Sequence, residues 1–216
     1  MTSEHGGDDD PFEGLSSAVR AQLDEVHHAR EVALPACRRA IRASGLAIRA
    51  VHLRHHDRWE ERIAEARREL EVAQEALRPF PEVSAAGFLH DAEKEVAEAH
   101  LCAALVEGEP LPGWDAVGVR LPAWLNGLAE AASEVRRFVL DRLRDGELDG
   151  TERLFSAMET TCDMLATVDY PDAITGGLRR SVDALRAVVE RTRADLTTTL
   201  IQERLQQSLK GGLGKL

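Results

Sequence analysis

The chain has 216 residues, 44% hydrophobic, 30% charged and 4% aromatic, with a net charge of −11. That length suits one sizeable domain whose core is built mainly from Leu, Ala and Val. The acidic balance excludes indiscriminate attraction to nucleic acid, and no apolar run approaches the roughly 20 residues that a bilayer span needs.

Ala, Leu, Arg and Glu dominate, all good helix formers, and strand-type alternation is nearly absent. An all-α protein is expected: an antiparallel bundle of six to seven helices. Residues 1–11 contain Gly-Gly, an Asp run and Pro11, and are expected to be a disordered acidic tail. Residues 12–208 are expected to form a single helical domain, and residues 209–216 a flexible tail.

The first helix begins near Phe12. Leu15, Val19, Leu23, Val26, Leu34, Cys37, Ile41, Ile48 and Val51 trace its apolar stripe, with a kink expected at Pro35. Residues 30–56 carry six Arg against one Glu, plus His52, His55 and His56. Arg38, Arg42 and Arg49 share one face, with Arg39 nearby, so the four are candidates to grip phosphates. The alternative is a solvated Arg face paired with the Glu-rich helix that follows.

That second helix runs from about Asp57 to Leu77 and closes at Pro79 and Pro81. The third is expected from Ser84, as N-cap, to Glu107; the fourth from Leu121 to Gly146; the fifth from Thr151 to Val168. Pro171 is expected to open the last helix. Cys37, Cys102 and Cys162 are far apart, odd in number and set in apolar sequence, which points to reduced core thiols in a cytoplasmic protein.

Two carboxylate pairs stand out. Glu95 with Glu98, and Glu130 with Glu134, are spaced by three and four residues, so each pair shares a helix face. Asp91, Glu95, Glu98, Cys102 and Leu105 lie within about 80° on the third helix, a face that begins acidic and ends apolar. Four converging carboxylates can hold a hard cation such as Mg²⁺ or Mn²⁺, which activates water against a phosphodiester. Ordinary surface glutamates are the alternative, with Arg137 pairing to Glu134 at spacing three. Attack by a ribose hydroxyl would instead call for a His pair. His90 and His100 diverge by about 80–100° around their helix and do not form one.

The stretch Ala92–His100 (AEKEVAEAH) resembles the E-x-x-E-A helix of the translin/Trax family on its Trax side, the side that carries the nuclease. The stretch LPAWLNGLAEAASEVRR is similar to a second segment of that family, with Gly127, Ala129, Glu134 and Arg137 in matching places. RLRDGELD, with Gly146, resembles the turn that follows, and Ala29-Arg30-Glu31 and Arg38 fit the first helix. Order and spacing carry the resemblance over roughly residues 20–205. It implies a translin-like helical fold that binds single-stranded RNA or DNA. It further implies a Mg²⁺- or Mn²⁺-dependent endoribonuclease with Glu95, Glu98, Glu130 and Glu134 as catalytic metal ligands. Family members form closed shells, often octamers, so a homo-oligomer is expected of this chain. Where this chain has Glu130 the family usually has Asp, which motivates the alternative of a non-catalytic, translin-like binding assembly.

Overall fold

The computed structural model describes the backbone of residues 11–213 and the side chains of residues 12–209. The expected acidic tail lies almost wholly outside these residues. Nine helices make up the described residues: α1 Pro11–His52, α2 His56–Leu77, α3 Pro81–Ser84, α4 Phe88–Glu107, α5 Trp114–Val117, α6 Leu121–Asp145, α7 Thr151–Ala166, α8 Asp172–Thr175 and α9 Leu178–Leu213. Six are long, as the apolar periodicity predicts; α3, α5 and α8 are single turns that it does not reveal. The protein is all-α, and no helix among the described residues is long and apolar enough to cross a membrane.

Small side chains set how the helices meet. Ala33, Ala36, Ala40, Ala43 and Ala47 form a fully buried row on α1, facing Ala66 and Ala73 of α2 and the Ala-rich α4. Alanine costs no side-chain entropy on burial and lets helix axes approach closely. α4 lies in the middle of this packing: Leu89, Ala92, Val96, Ala97, Ala99, Leu101, Cys102 and Ala103 are buried around nearly its whole circumference. All three cysteines are free and buried.

Three details depart from the sequence reading. Leu15, Val19 and Leu23 belong to the predicted stripe but are exposed. α2 has only 22 residues, so it runs back along α1 to about residue 31, where Ala76 and Phe80 adjoin Ala29 and Val32. Among the described residues, α2 therefore does not reach Leu15, Val19 and Leu23. Ser84 caps no helix N-terminus; it ends α3, and its hydroxyl donates to the Leu77 and Phe80 carbonyls. Gly87, at φ 94°, precedes α4 instead. Pro171 opens only the one-turn α8; Gly176 and Gly177, both at positive φ, separate it from α9. α1 continues through Pro35, as the resuming apolar pattern predicts, and α9 is described as far as Leu213.

Polar ties fix the layers. Glu93 is 1% exposed on α4, accepts from Arg120 Nε at 2.6 Å and Gln74 Nε2 at 3.0 Å, and so joins α2 and the start of α6 to α4. Asn126 of α6 donates to the Thr175 carbonyl and accepts from Ser181, which holds α8 and α9. Between α1 and α2 the chain reverses within three residues, and Arg54 takes φ 56° to do it. A non-glycine residue in that left-handed region costs about 1–2 kcal/mol.

Candidate metal centre and basic helix

The site starts at a glycine. On α6, Gly127 faces α4 so closely that an added Cβ would meet the Lys94 carbonyl at 2.7 Å, Ala97 Cβ at 2.8 Å and the Glu98 nitrogen at 3.0 Å. Backbone touches backbone here. Glu95 and Glu98 project beside this contact from α4, and Glu130, one turn past Gly127, projects from α6. Carboxylate oxygens of Glu95, Glu98 and Glu130 come within 4.8 Å of one another, each side chain part-buried.

The electrostatics are those of crowded acids. Burial, then the Glu95, Glu130 and Glu134 carboxylates, push the Glu98 carboxyl up to about 8. Burial also raises Glu95, with Glu130 adding to the effect and Lys94 opposing it. Lys94 is the local countercharge: its Nζ lies 2.7 Å from Glu130 Oε1 and 3.6 Å from Glu95. Burial disfavours the Lys94 ammonium, but the three acids outweigh it and hold the group above its usual range.

Glu134 takes a different partner. It is close enough to raise Glu98, yet its Oε1 is bonded to His52 Nε2 of α1 at 2.5 Å, while Arg137 stands 4.0 Å away. His52 stacks on Phe138, one turn along α6 from Glu134, with ring centroids 4.0 Å apart. The structure thus gathers three of the four expected acids into one cluster and attaches the fourth to a histidine. Neither His52 nor Lys94 is singled out by the carboxylate spacing. The signal for His52 is the run His52, His55, His56 at a helix end; for Lys94 there is none, because residue 94 points about 100° away from residue 95.

An all-oxygen set of three part-buried carboxylates is the donor chemistry that a hard divalent cation takes. With Glu98 held up to about 8 by burial and its acidic neighbours, only one ammonium, that of Lys94, offsets the cluster, and a further positive charge would favour the ionised form of Glu98. The residues fit a Mg²⁺- or Mn²⁺-type ion. His100 stands apart: its Nδ1 bonds the Val96 carbonyl at 2.9 Å and burial lowers its pKa. His90 packs on Gly176.

On α1 the four candidate arginines are all exposed. Arg39 is committed to Glu69 of α2 at 2.8 Å, as the ion-pairing alternative expects. Arg38, Arg42 and Arg49 have no ion pair among the described residues. They lie within about 40° of one another over about 16 Å of helix, and Arg49 is about 60° from His52 one turn on. These three cations therefore form an exposed stripe along α1, with Arg49 beside Arg58, Glu61 and Arg62 of α2.

No family model matches the chain. An uncharacterized protein of Methanocaldococcus jannaschii, MJ0175, is 27% identical over 183 residues, spanning 84% of this chain and 81% of that one. The C3PO of Archaeoglobus fulgidus, solved alone and in a duplex RNA complex, superposes with a TM-score of 0.77 at 28% identity. Those matches cover 86% of this chain and 96% or 97% of theirs. Apo-NeC3PO superposes at 0.74 over 90% of this chain and all of its own, with 14% identity, a likeness of fold. C3PO chains are translin/Trax proteins, and the likeness in sequence and fold over most of this chain supports a translin/Trax-family relationship.

Proposed function

We propose that this protein is a Trax-like endoribonuclease that binds RNA along α1 and hydrolyses it at Glu95, Glu98 and Glu130 with Mg²⁺ or Mn²⁺. The observation that carries the reading is the meeting of three carboxylates within 4.8 Å across the α4–α6 contact. A divalent cation held there supplies charge to a phosphodiester's oxygens and acidifies water. The chain does the rest. Were a cation held by the three carboxylates, Lys94, 2.7 Å from Glu130, would stand beside it as a donor to phosphate. Glu134, bonded to His52 Nε2, stands at the cluster's edge and ties α1 to it. Arg38, Arg42 and Arg49 take successive phosphates, giving sequence-tolerant affinity. The duplex RNA complex of the Archaeoglobus protein supports an RNA ligand, with single-stranded RNA or DNA as further candidates.

Assembly belongs to the same proposal. Leu15, Val19 and Leu23 at one end of α1, and Ile201, Leu205 and Leu209 at the end of α9, are each about half exposed or more. Apolar rows of this kind are covered in homo-oligomers, in which an acidic exterior can coexist with a basic interior; a closed octamer is one such form. The test is cleavage of single-stranded and duplex RNA with Mg²⁺ or Mn²⁺ by the wild type, Glu95→Ala and Glu98→Ala. Equal cleavage by all three would defeat the assignment. The Lys94–Glu130 pair favours a second reading, a non-catalytic binding assembly whose acids are balanced without a metal. Metal-independent RNA binding with no cleavage would establish it.

A further inference from the structure

Glu134 stands one turn past Glu130 on α6, about 40° further round the same face. Residues so spaced have Cβ atoms about 5–6 Å apart, so the Glu134 side chain can reach the acid cluster. Its charge is felt there, raising both Glu98 and Cys102 of α4. Yet its carboxylate is not among the three that meet within 4.8 Å. What holds it away belongs to α1.

His52 Nε2 and Glu134 Oε1 are bonded at 2.5 Å. A proton lies in that bond whichever group owns it, so the hold does not require one charge state of His52. The ring is also fixed in place. Its side chain is 5% exposed and lies flat on the buried Phe138, with centroids 4.0 Å and planes 16° apart. Close packing leaves such a ring little room to retreat. The other cation near Glu134 is the exposed Arg137, 4.0 Å away, too far for a hydrogen bond. Glu134 is thus held chiefly by His52. A fourth carboxylate would strengthen an all-oxygen cation site, because affinity for hard ions rises with the charge of the ligand set. Three acids leave more positions open to water and phosphate.

We propose that His52 is a positioning residue that competes with a divalent cation for Glu134: its clasp keeps the fourth carboxylate on α1, and capture of an ion by all four acids requires the clasp to open. The proposal rests on the metal-centre part of the reading above and not on RNA cleavage. Its test is Mn²⁺ titration of the full chain, followed by electron paramagnetic resonance at one fixed pH. His52→Phe keeps a ring on Phe138 and cannot hold the carboxylate. A hydrogen bond to a charged group is worth about 10–100-fold in an equilibrium, so Mn²⁺ binds this variant about tenfold more tightly or better. His52→Gln, whose amide still donates to Oε1, returns the wild-type affinity. The same His52→Phe change made in Glu134→Gln leaves affinity unaltered, because the gain runs through Glu134; a purely structural role would shift Tm without this coupling. Should His52→Phe fail to fold, His52→Asn, too short to reach Oε1, replaces it with the same rise expected. Unchanged affinity on losing the clasp overturns the competition, and so does weaker binding, which would mark His52 as the support of a ligating Glu134. Mn²⁺ binding without the rise withdraws the clasp and keeps the metal centre; no Mn²⁺ binding by either protein withdraws both. A rise without RNA cleavage keeps the clasp and withdraws the nuclease.

Discussion

Replacing Gly127 by Ala tests whether the α4–α6 approach builds the acid cluster. The new methyl would sit 2.7 Å from the Lys94 carbonyl and 3.0 Å from the Glu98 nitrogen, both backbone atoms that cannot swing aside. Ordinary contact begins at 3.4 Å, so the helices must part by about 0.7 Å. Overpacking of this kind costs about 1–3 kcal/mol, against about 1 kcal/mol gained in helix propensity. The net loss is about 0–2 kcal/mol, or up to roughly 6 °C in Tm for a chain of this size. A shift of about 0.7 Å also exceeds the ~0.5 Å tolerance of a preorganised site, so Mn²⁺ affinity falls at least about tenfold. Gly45→Ala is the control: nothing lies within 4 Å of an added Cβ there, and stability rises by up to about 1 kcal/mol. Thermal unfolding by far-UV circular dichroism and Mn²⁺ titration by electron paramagnetic resonance read both effects. A Gly127→Ala protein with wild-type Tm and wild-type Mn²⁺ affinity would refute the reasoning.

Three further outcomes are expected. Glu98 rises from 4.5 to about 8 on folding, so between those values the folded state keeps a proton that the unfolded state has released, and metal-free stability falls as pH rises through this window. Urea midpoints in EDTA at about pH 5 and about pH 8 should converge in Glu98→Gln; an unchanged slope would show that another group carries it. Lys94→Met removes the ammonium 2.7 Å from Glu130, so metal-free Tm drops while the Tm gain on adding Mn²⁺ exceeds that of the wild type, as paired thermal scans will show. Arg38→Ala with Arg42→Ala should leave stability within about 0.5 kcal/mol and lower the log–log salt slope of single-stranded RNA binding by about 1.4. Fluorescence anisotropy measures that slope, and an unaltered value removes α1 as the RNA surface.

Local signals in the sequence carried most of the fold. Periodicity located the six long helices, and Gly108 and Gly146, both left-handed, end α4 and α6 where they were expected. Face geometry likewise brought Glu95 and Glu98 to one side. What sequence periodicity could not give was partnership at long range. His52 meets Glu134 across 82 residues, a contact made by the α1–α2 turn and the Phe138 stack rather than by any spacing. Arg39 and Arg38 are adjacent and alike in sequence, yet only Arg39 finds a glutamate, because α2 lies on its side of α1. The exposed Leu15, Val19 and Leu23 look like core residues because helical period reports an apolar face, not what covers it.

α4 carries two of the three clustered acids and is enclosed by α1, α2 and α6 around most of its girth. Its amide protons should exchange with solvent among the slowest in the chain, since releasing them requires the surrounding helices to detach first. The chemistry-bearing carboxylates thus ride on the segment that opens last. Heating would then abolish cation capture together with global unfolding, whereas the overhanging ends of α1 and α9 can fray well below that temperature and leave the cluster intact.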